Sequence, residues 1–181
     1  MTVKEYLFVG EFLKANSSKI YIESGSGGST VMANKYFGDL YSYETDPRFV
    51  AYLNDLTGKK IVELINVGEV EKFGYPIVQS IENAKKISAC LLGALNERRD
   101  RSAIIFIDGR CRVLTALNCA AYLNSRDIVM IHDFERKFYH EVLYFFDIIK
   151  LVDTIVVLKI KENLDLKLLE REKEHFKLDF R

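Results

Sequence analysis

The chain has 181 residues, 49% hydrophobic and 29% charged, with 26 basic and 26 acidic residues and a formal net charge of +0. That is the composition of a globular domain with a buried core, and a zero balance sets up no global field for nucleic acid or an anionic membrane. Two prolines, three cysteines without metal or redox spacing and no apolar run near the ~20 residues of a bilayer span argue against a hinged tandem, a disulfide scaffold and a membrane anchor.

Residues 1–181 read as one domain: an N-terminal helix within 1–18, a core over 19–160, and a closing helix or tail over 161–181. The opening stretch, MTVKEYLFVGEFLK, is amphipathic over about 3–14 and has Glu5 and Glu11 inside its apolar part, which does not suit a secretory signal. Cys90, Cys111 and Cys119 fall in helix-like stretches as small buried hydrophobes, which fits a reducing cytosol. Strands are predicted at 19–23, 40–44, 61–66, 103–108, 127–132 and 154–160, with a weaker one near 148–152. Helices are predicted near 29–37, 46–56, 79–97, 111–124 and 136–147. AIIFID and DIVMIH are apolar on both faces, as strands covered by helices on both sides must be. The alternation predicts an α/β fold with a parallel sheet and right-handed crossovers. The last two strands lie too close together for a crossover and should form an antiparallel hairpin at one edge. The tail, with Leu164, Leu168 and Phe176 as a thin apolar stripe, reads as a solvated closing helix.

In an open parallel sheet, ligands bind outside the carboxyl ends of the strands. Four predicted strands end there in polar residues: Glu23, Glu44, Asp108 with Gly109 and Arg110, and His132 with Asp133. Glu23 opens the loop ESGSGGST, in which Gly25, Ser26, Gly27 and Gly28 precede Ser29 and Thr30 at a helix start. Glycines there allow close backbone approach to a nucleotide-type cofactor. Glu44 follows about 20 residues on, where a ribose-binding carboxylate is expected. Each acid has a plainer reading as a helix cap, Asp133 and Asp46 in particular. Residues two apart on a helix do not share a face, so one of Arg110 and Arg112 should enter the cleft, and Arg110 is nearer the strand end. His132 serves equally as a general base or as a structural histidine. The loop has no P-loop lysine, and its ExGxGG spacing is not the GxGxxG of dinucleotide binding; a smaller adenosyl cofactor fits better.

ESGSGGST resembles the first motif of class I S-adenosylmethionine-dependent methyltransferases, and YSYE their second. FIDGRCR and IVMIHDF resemble motifs ending the fourth and fifth strands of a group within that family, some of whose members are uncharacterised. The resemblance implies a Rossmann-like methyltransferase fold with a seven-stranded sheet. It implies that Glu23, Gly25 and Gly27 shape the methionine side of the pocket, that Glu44 binds the ribose hydroxyls, that Asn66 to Glu69 lie near the adenine, and that Asp108 approaches the methionine amine. In metal-dependent O-methyltransferases of this fold, acids matching Asp108 and Asp133 hold Mg²⁺. Here Arg110 stands where those relatives carry an acid, which counts against a metal and tilts the pocket toward an anionic acceptor.

The expected function is methyl transfer from S-adenosylmethionine to oxygen or nitrogen of a small molecule, with His132, Asp133 and Arg110 on the acceptor side. The expected partners are that acceptor and, optionally, a second copy of the chain, with no nucleic acid and no membrane. The lid is expected from the N-terminal helix, from 73–79 or from a second subunit. A non-catalytic binding or assembly module of the same fold is the alternative, and a nucleotide-sugar or other transferase a third reading.

Overall fold

The computed structural model describes residues Met1–Arg181. Seven strands form one sheet: β1 (Ile20–Ser24), β2 (Leu40–Glu44), β3 (Val62–Leu64), β4 (Ala103–Ile107), β5 (Ile128–Ile131), β6 (Phe146–Val152) and β7 (Ile155–Ile160). Their spatial order is β3-β2-β1-β4-β5-β7-β6. β1 pairs in parallel with β2 and β4, β2 with β3 and β4 with β5, whereas β7 runs antiparallel to both β5 and β6. The order turns back between β1 and β4, and this reversal opens a crevice at the carboxyl ends of those strands.

Seven α-helices cover the sheet: α1 (Val3–Ala15), α2 (Gly28–Ala33), α3 (Pro47–Thr57), α4 (Ile81–Ala89), α5 (Leu92–Glu97), α6 (Arg112–Ala120) and α7 (Leu166–His175). The period-2 alternation of β4 divides the core. Ala103, Ile105 and Ile107 join a cluster of 31 buried residues, while Ile104 and Phe106 join a cluster of 11 that includes Val9 and Leu13 of α1. Both faces of β4 are therefore dry, as its continuous apolar run requires. No helix is long and apolar enough to cross a membrane.

Several expected elements differ in detail. The helix expected over 79–97 is two helices, α4 and α5, separated at Cys90 and Leu91. The stretch expected as a helix over 136–147 is a 3₁₀ run, Lys137–Tyr144, and β6 starts earlier than expected, at Phe146. The tail is more firmly docked than a solvated helix: Leu169, Phe176 and Phe180 are buried in the larger cluster. Apolar side chains spaced along α7 and past its end supply that anchor, and the helix's charges stay outside.

Candidate functional site

A crevice of about 660 Å³ lies at the carboxyl edge of the sheet, lined from five strand ends and from the segment 73–74. Its floor is a close backbone approach. The N–H groups of Asp108 and Gly109 both donate to the carbonyl of Ser24, at 2.8 and 2.7 Å. Gly25 has φ +87°, and a Cβ there would collide with the backbone of Asp108 and Gly109. Only glycine meets both conditions.

The loop residues divide into two groups. Ser24, Gly25 and Ser26 line the crevice, whereas Glu23, Gly27, Gly28, Ser29 and Thr30 do not. Glu23 is fully buried beneath the loop. Its carboxylate accepts from Tyr21 Oη (2.9 Å), Thr30 Oγ1 (2.5 Å) and Ser42 Oγ (2.8 Å), and from Ser29 Oγ. Burial pushes its pKa up to about 7, against the pull of those hydroxyls. Glu23 is thus a strut that ties the loop and α2 to β1 and β2, and no part of it borders the crevice.

Glu44 borders the crevice at the end of β2. Its Oε1 accepts from Thr45 N (2.7 Å) and Asp46 N (3.0 Å), with Thr45 Oγ1 at 3.1 Å beside it. Oε2 accepts no hydrogen bond, so one oxygen is anchored and the other is free for a ligand hydroxyl. Asn66 to Glu69 lie away from the crevice; Ile65, Phe73 and Gly74 occupy its rim instead. The reason is a tongue in which Glu71 N donates to Tyr75 O and Ile77 N to Glu69 O, folding the segment back over Glu44. Thr45 Oγ1 donates to Gly74 O at 2.7 Å, and Gly74, at φ +67°, has no room for a Cβ against Glu44 and Thr45. Phe73 sits at the tip with φ 61° and is 86% exposed.

Arg110 and Arg112 both border the crevice. Arg110 donates through Nε and Nη2 to Phe73 O at 3.3 and 3.2 Å and lies over the Tyr75 ring at 5.1 Å. It clamps the tongue. Arg112 is the more deeply placed of the two. It pairs with Asp108 Oδ1 (3.2 Å) and Asp133 Oδ2 (3.0 Å), and donates to Gly109 O (3.0 Å) and His132 O (2.6 Å).

His132 Nδ1 lies 3.0 Å from Asp108 Oδ1 and 3.6 Å from Asp133 Oδ1, and its Nε2 lies 3.5 Å from Glu5 Oε2. Burial lowers the His132 pKa, but the hydrogen bond and charge of Asp108, with the charges of Asp133 and Glu5, outweigh it and leave the pKa raised. Burial would raise the Glu5 pKa, but hydrogen bonds from Thr154 and Thr2 hold it at about 2. Glu5 therefore reaches from α1 across the end of the sheet as a fixed anion. Cys111 and Asp133, which flank these groups in the chain, both have φ 58°. Left-handed backbone at non-glycine residues stores strain and commonly marks functional turns.

Sequence reasoning missed Glu5 and Arg136, the latter pairing with Asp133 Oδ2 at 3.0 Å, and it set Arg112 aside in favour of Arg110. Arg136 was legible in HDFER, three residues past Asp133. Glu5 carried only the local signal of a helix capping box with Thr2, and its contacts with His132 and Thr154 could not be read from that.

The sheet order, the reversed β7 and the polar crevice at the strand ends define the class: an α/β protein with a methyltransferase-like fold. A solved methyltransferase-like protein from Silicibacter pomeroyi DSS-3 superposes with a TM-score of 0.81 at 18% identity, covering 99% of this chain and 96% of that one. The 23S rRNA methyltransferase ErmE aligns at a TM-score of 0.45 and 15% identity, over 98% of this chain and 77% of its own. No family model matches the sequence, and no curated protein matches it. The expectation that excluded nucleic acid as a partner is withdrawn. Net charge was a poor ground for it, since a zero sum does not describe local surface charge.

Proposed function

We propose that the chain is an S-adenosylmethionine-dependent methyltransferase acting on oxygen or nitrogen of a small acceptor. One observation carries the reading. Glu44 has one oxygen fixed by backbone N–H groups and the other unpaired, at the rim of a crevice floored by Gly25 and Gly109. That is the arrangement a ribose diol needs, with a glycine floor beside it for the rest of an adenosyl ligand. The motif resemblance of ESGSGGST, FIDGRCR and IVMIHDF points the same way.

The residues present suit that cofactor. Glu44 would hold the ribose, Ile65 and Phe73 would flank the adenine, and Asp108, whose Oδ2 accepts no hydrogen bond, would meet the methionine ammonium. When bound, the cofactor would supply an electrophilic methyl group on a sulfonium. The protein's part is to orient an acceptor lone pair in line with that methyl and to exclude water. Met1 and Phe73, both on the crevice rim, are the residues placed to close it. His132, ringed by carboxylates, suits holding a proton and positioning Asp108 better than abstracting one. Mg²⁺ does not suit the donor set, because the Arg112 guanidinium stands between the two acids it would need, so no step is assigned to a metal.

Titration calorimetry with S-adenosylhomocysteine tests this. Binding is expected, and Glu44→Ala should weaken it by about 1–3 kcal/mol through loss of a charged acceptor. No binding in the wild type would overturn the reading. Methyl incorporation assayed separately on small acceptors and on RNA distinguishes the acceptor class. Binding without turnover on either would favour a non-catalytic module, which the full engagement of Asp133 Oδ2 by Arg112 and Arg136 also favours.

A further inference from the structure

We propose that the guanidinium of Arg112 is the resident cation of this crevice and occupies the position a divalent metal would take between Asp108 and Asp133. Asp108, His132 and Asp133 bring one ligand atom each to within 4.8 Å of one another, close enough to hold an ion. A hard dication in such a place binds through carboxylate oxygens. Arg112 has taken one from each acid: Nη2 lies 3.2 Å from Asp108 Oδ1 and Nη1 3.0 Å from Asp133 Oδ2.

The side chain is built in rather than draped across. It is 7% exposed, with Nε on Gly109 O, Nη1 also on His132 O, and the plane 5.3 Å from the Tyr139 ring centre. Four of its five N–H groups are accounted for, leaving one on Nη2. A metal entering here would have to expel a buried arginine from both carboxylates and both carbonyls. Stranding such a charge is strongly unfavourable. The two oxygens that Arg112 holds are shared with further cations or donors: Arg136 Nη2 also lies 3.0 Å from Asp133 Oδ2, and His132 Nδ1 lies 3.0 Å from Asp108 Oδ1. The cluster therefore carries a fixed monovalent, planar cation whose charge does not depend on metal supply. Arg112 acts as a positioning residue for both acids. A structural arginine with no relation to a metal position would behave differently in the following test.

The test is Mn²⁺ binding to the full chain, followed by the electron paramagnetic resonance of free Mn²⁺, with no adenosyl ligand present; its outcome is thus separate from that of the proposed function. Wild type and Arg112→Lys should bind no Mn²⁺ tighter than millimolar. Arg112→Met, which keeps the bulk and removes the charge, should gain at least tenfold in affinity, and Asp108→Asn on that background should abolish the gain. A folded Arg112→Met that gains nothing overturns the proposal. So does a wild type that binds one Mn²⁺ at micromolar concentration and loses it on Asp108→Asn. If Arg112→Met does not fold, that wild-type titration decides alone.

Discussion

Glu23 places a carboxylate where water is excluded and four hydroxyls converge, and burial raises its pKa from 4.5 to about 7. A folded-state pKa above the unfolded one means the folded chain holds the proton more tightly. The associated stability is complete below about pH 4.5 and is lost as pH rises through about 7. Wild-type unfolding free energy should therefore fall over that window, by on the order of 3 kcal/mol at most, and Glu23→Gln should flatten the fall. Urea titrations near pH 5, 6 and 7.5 measure both slopes; equal slopes would rule out Glu23 as their origin. The sequence marked Glu23 as special but placed it against the cofactor. What it hid was that Tyr21, Ser29, Thr30 and Ser42 all turn inward onto it from three different elements. The choice between Arg110 and Arg112 failed for a different reason. Helix-face geometry was applied to both, yet α6 begins only at Arg112, and Cys111 at φ 58° redirects the chain between them. With no helix at Arg110, both side chains reach the crevice.

At the scale of elements, the strands were legible because β4 and most of β5 are dry on both faces, and that burial leaves an unbroken apolar run in the sequence. The tongue over 69–77 was not legible as structure, because its shape depends on long-range ties: Thr45 to Gly74, and Arg110 to Phe73. It covers Glu44, so its opening governs access to the free carboxylate oxygen. Phe73 contributes little burial to hold it shut, and the Arg110 bonds are partly exposed, so local opening should cost far less than global unfolding. Arg110→Ala should accelerate tryptic cleavage after Lys72 several-fold while leaving the urea midpoint of the whole chain within error. Unchanged cleavage would mean that Thr45 and the tongue's own backbone hydrogen bonds hold it without Arg110. A shifted midpoint would mean that Arg110 supports the core rather than a flap.

For the whole molecule, the charged tail is the part whose sequence misleads most. Read by composition, it is a solvated helix; in the fold, it closes the larger of two cores. Leu169, Phe176 and Phe180 pack there with Tyr139 and with residues of α4 and α6, and Arg112 N donates to Arg181 O at 3.2 Å. The chain end thus sits against the start of the helix that carries Arg112, so the crevice and the C-terminus belong to one packed body. Phe180 is 2% exposed, and replacing a buried phenylalanine by alanine removes its transfer free energy and leaves a cavity. Phe180→Ala should lower the unfolding free energy by about 3 kcal/mol. A ligand present at 100 times its Kd should return about 2.7 kcal/mol, provided the crevice itself is intact. Urea unfolding of the variant with and without saturating S-adenosylhomocysteine reads both quantities. A wild-type midpoint in the variant would show that the tail frays independently of the core. A lowered midpoint with lost ligand stabilisation would show that the tail also shapes the crevice through the start of α6.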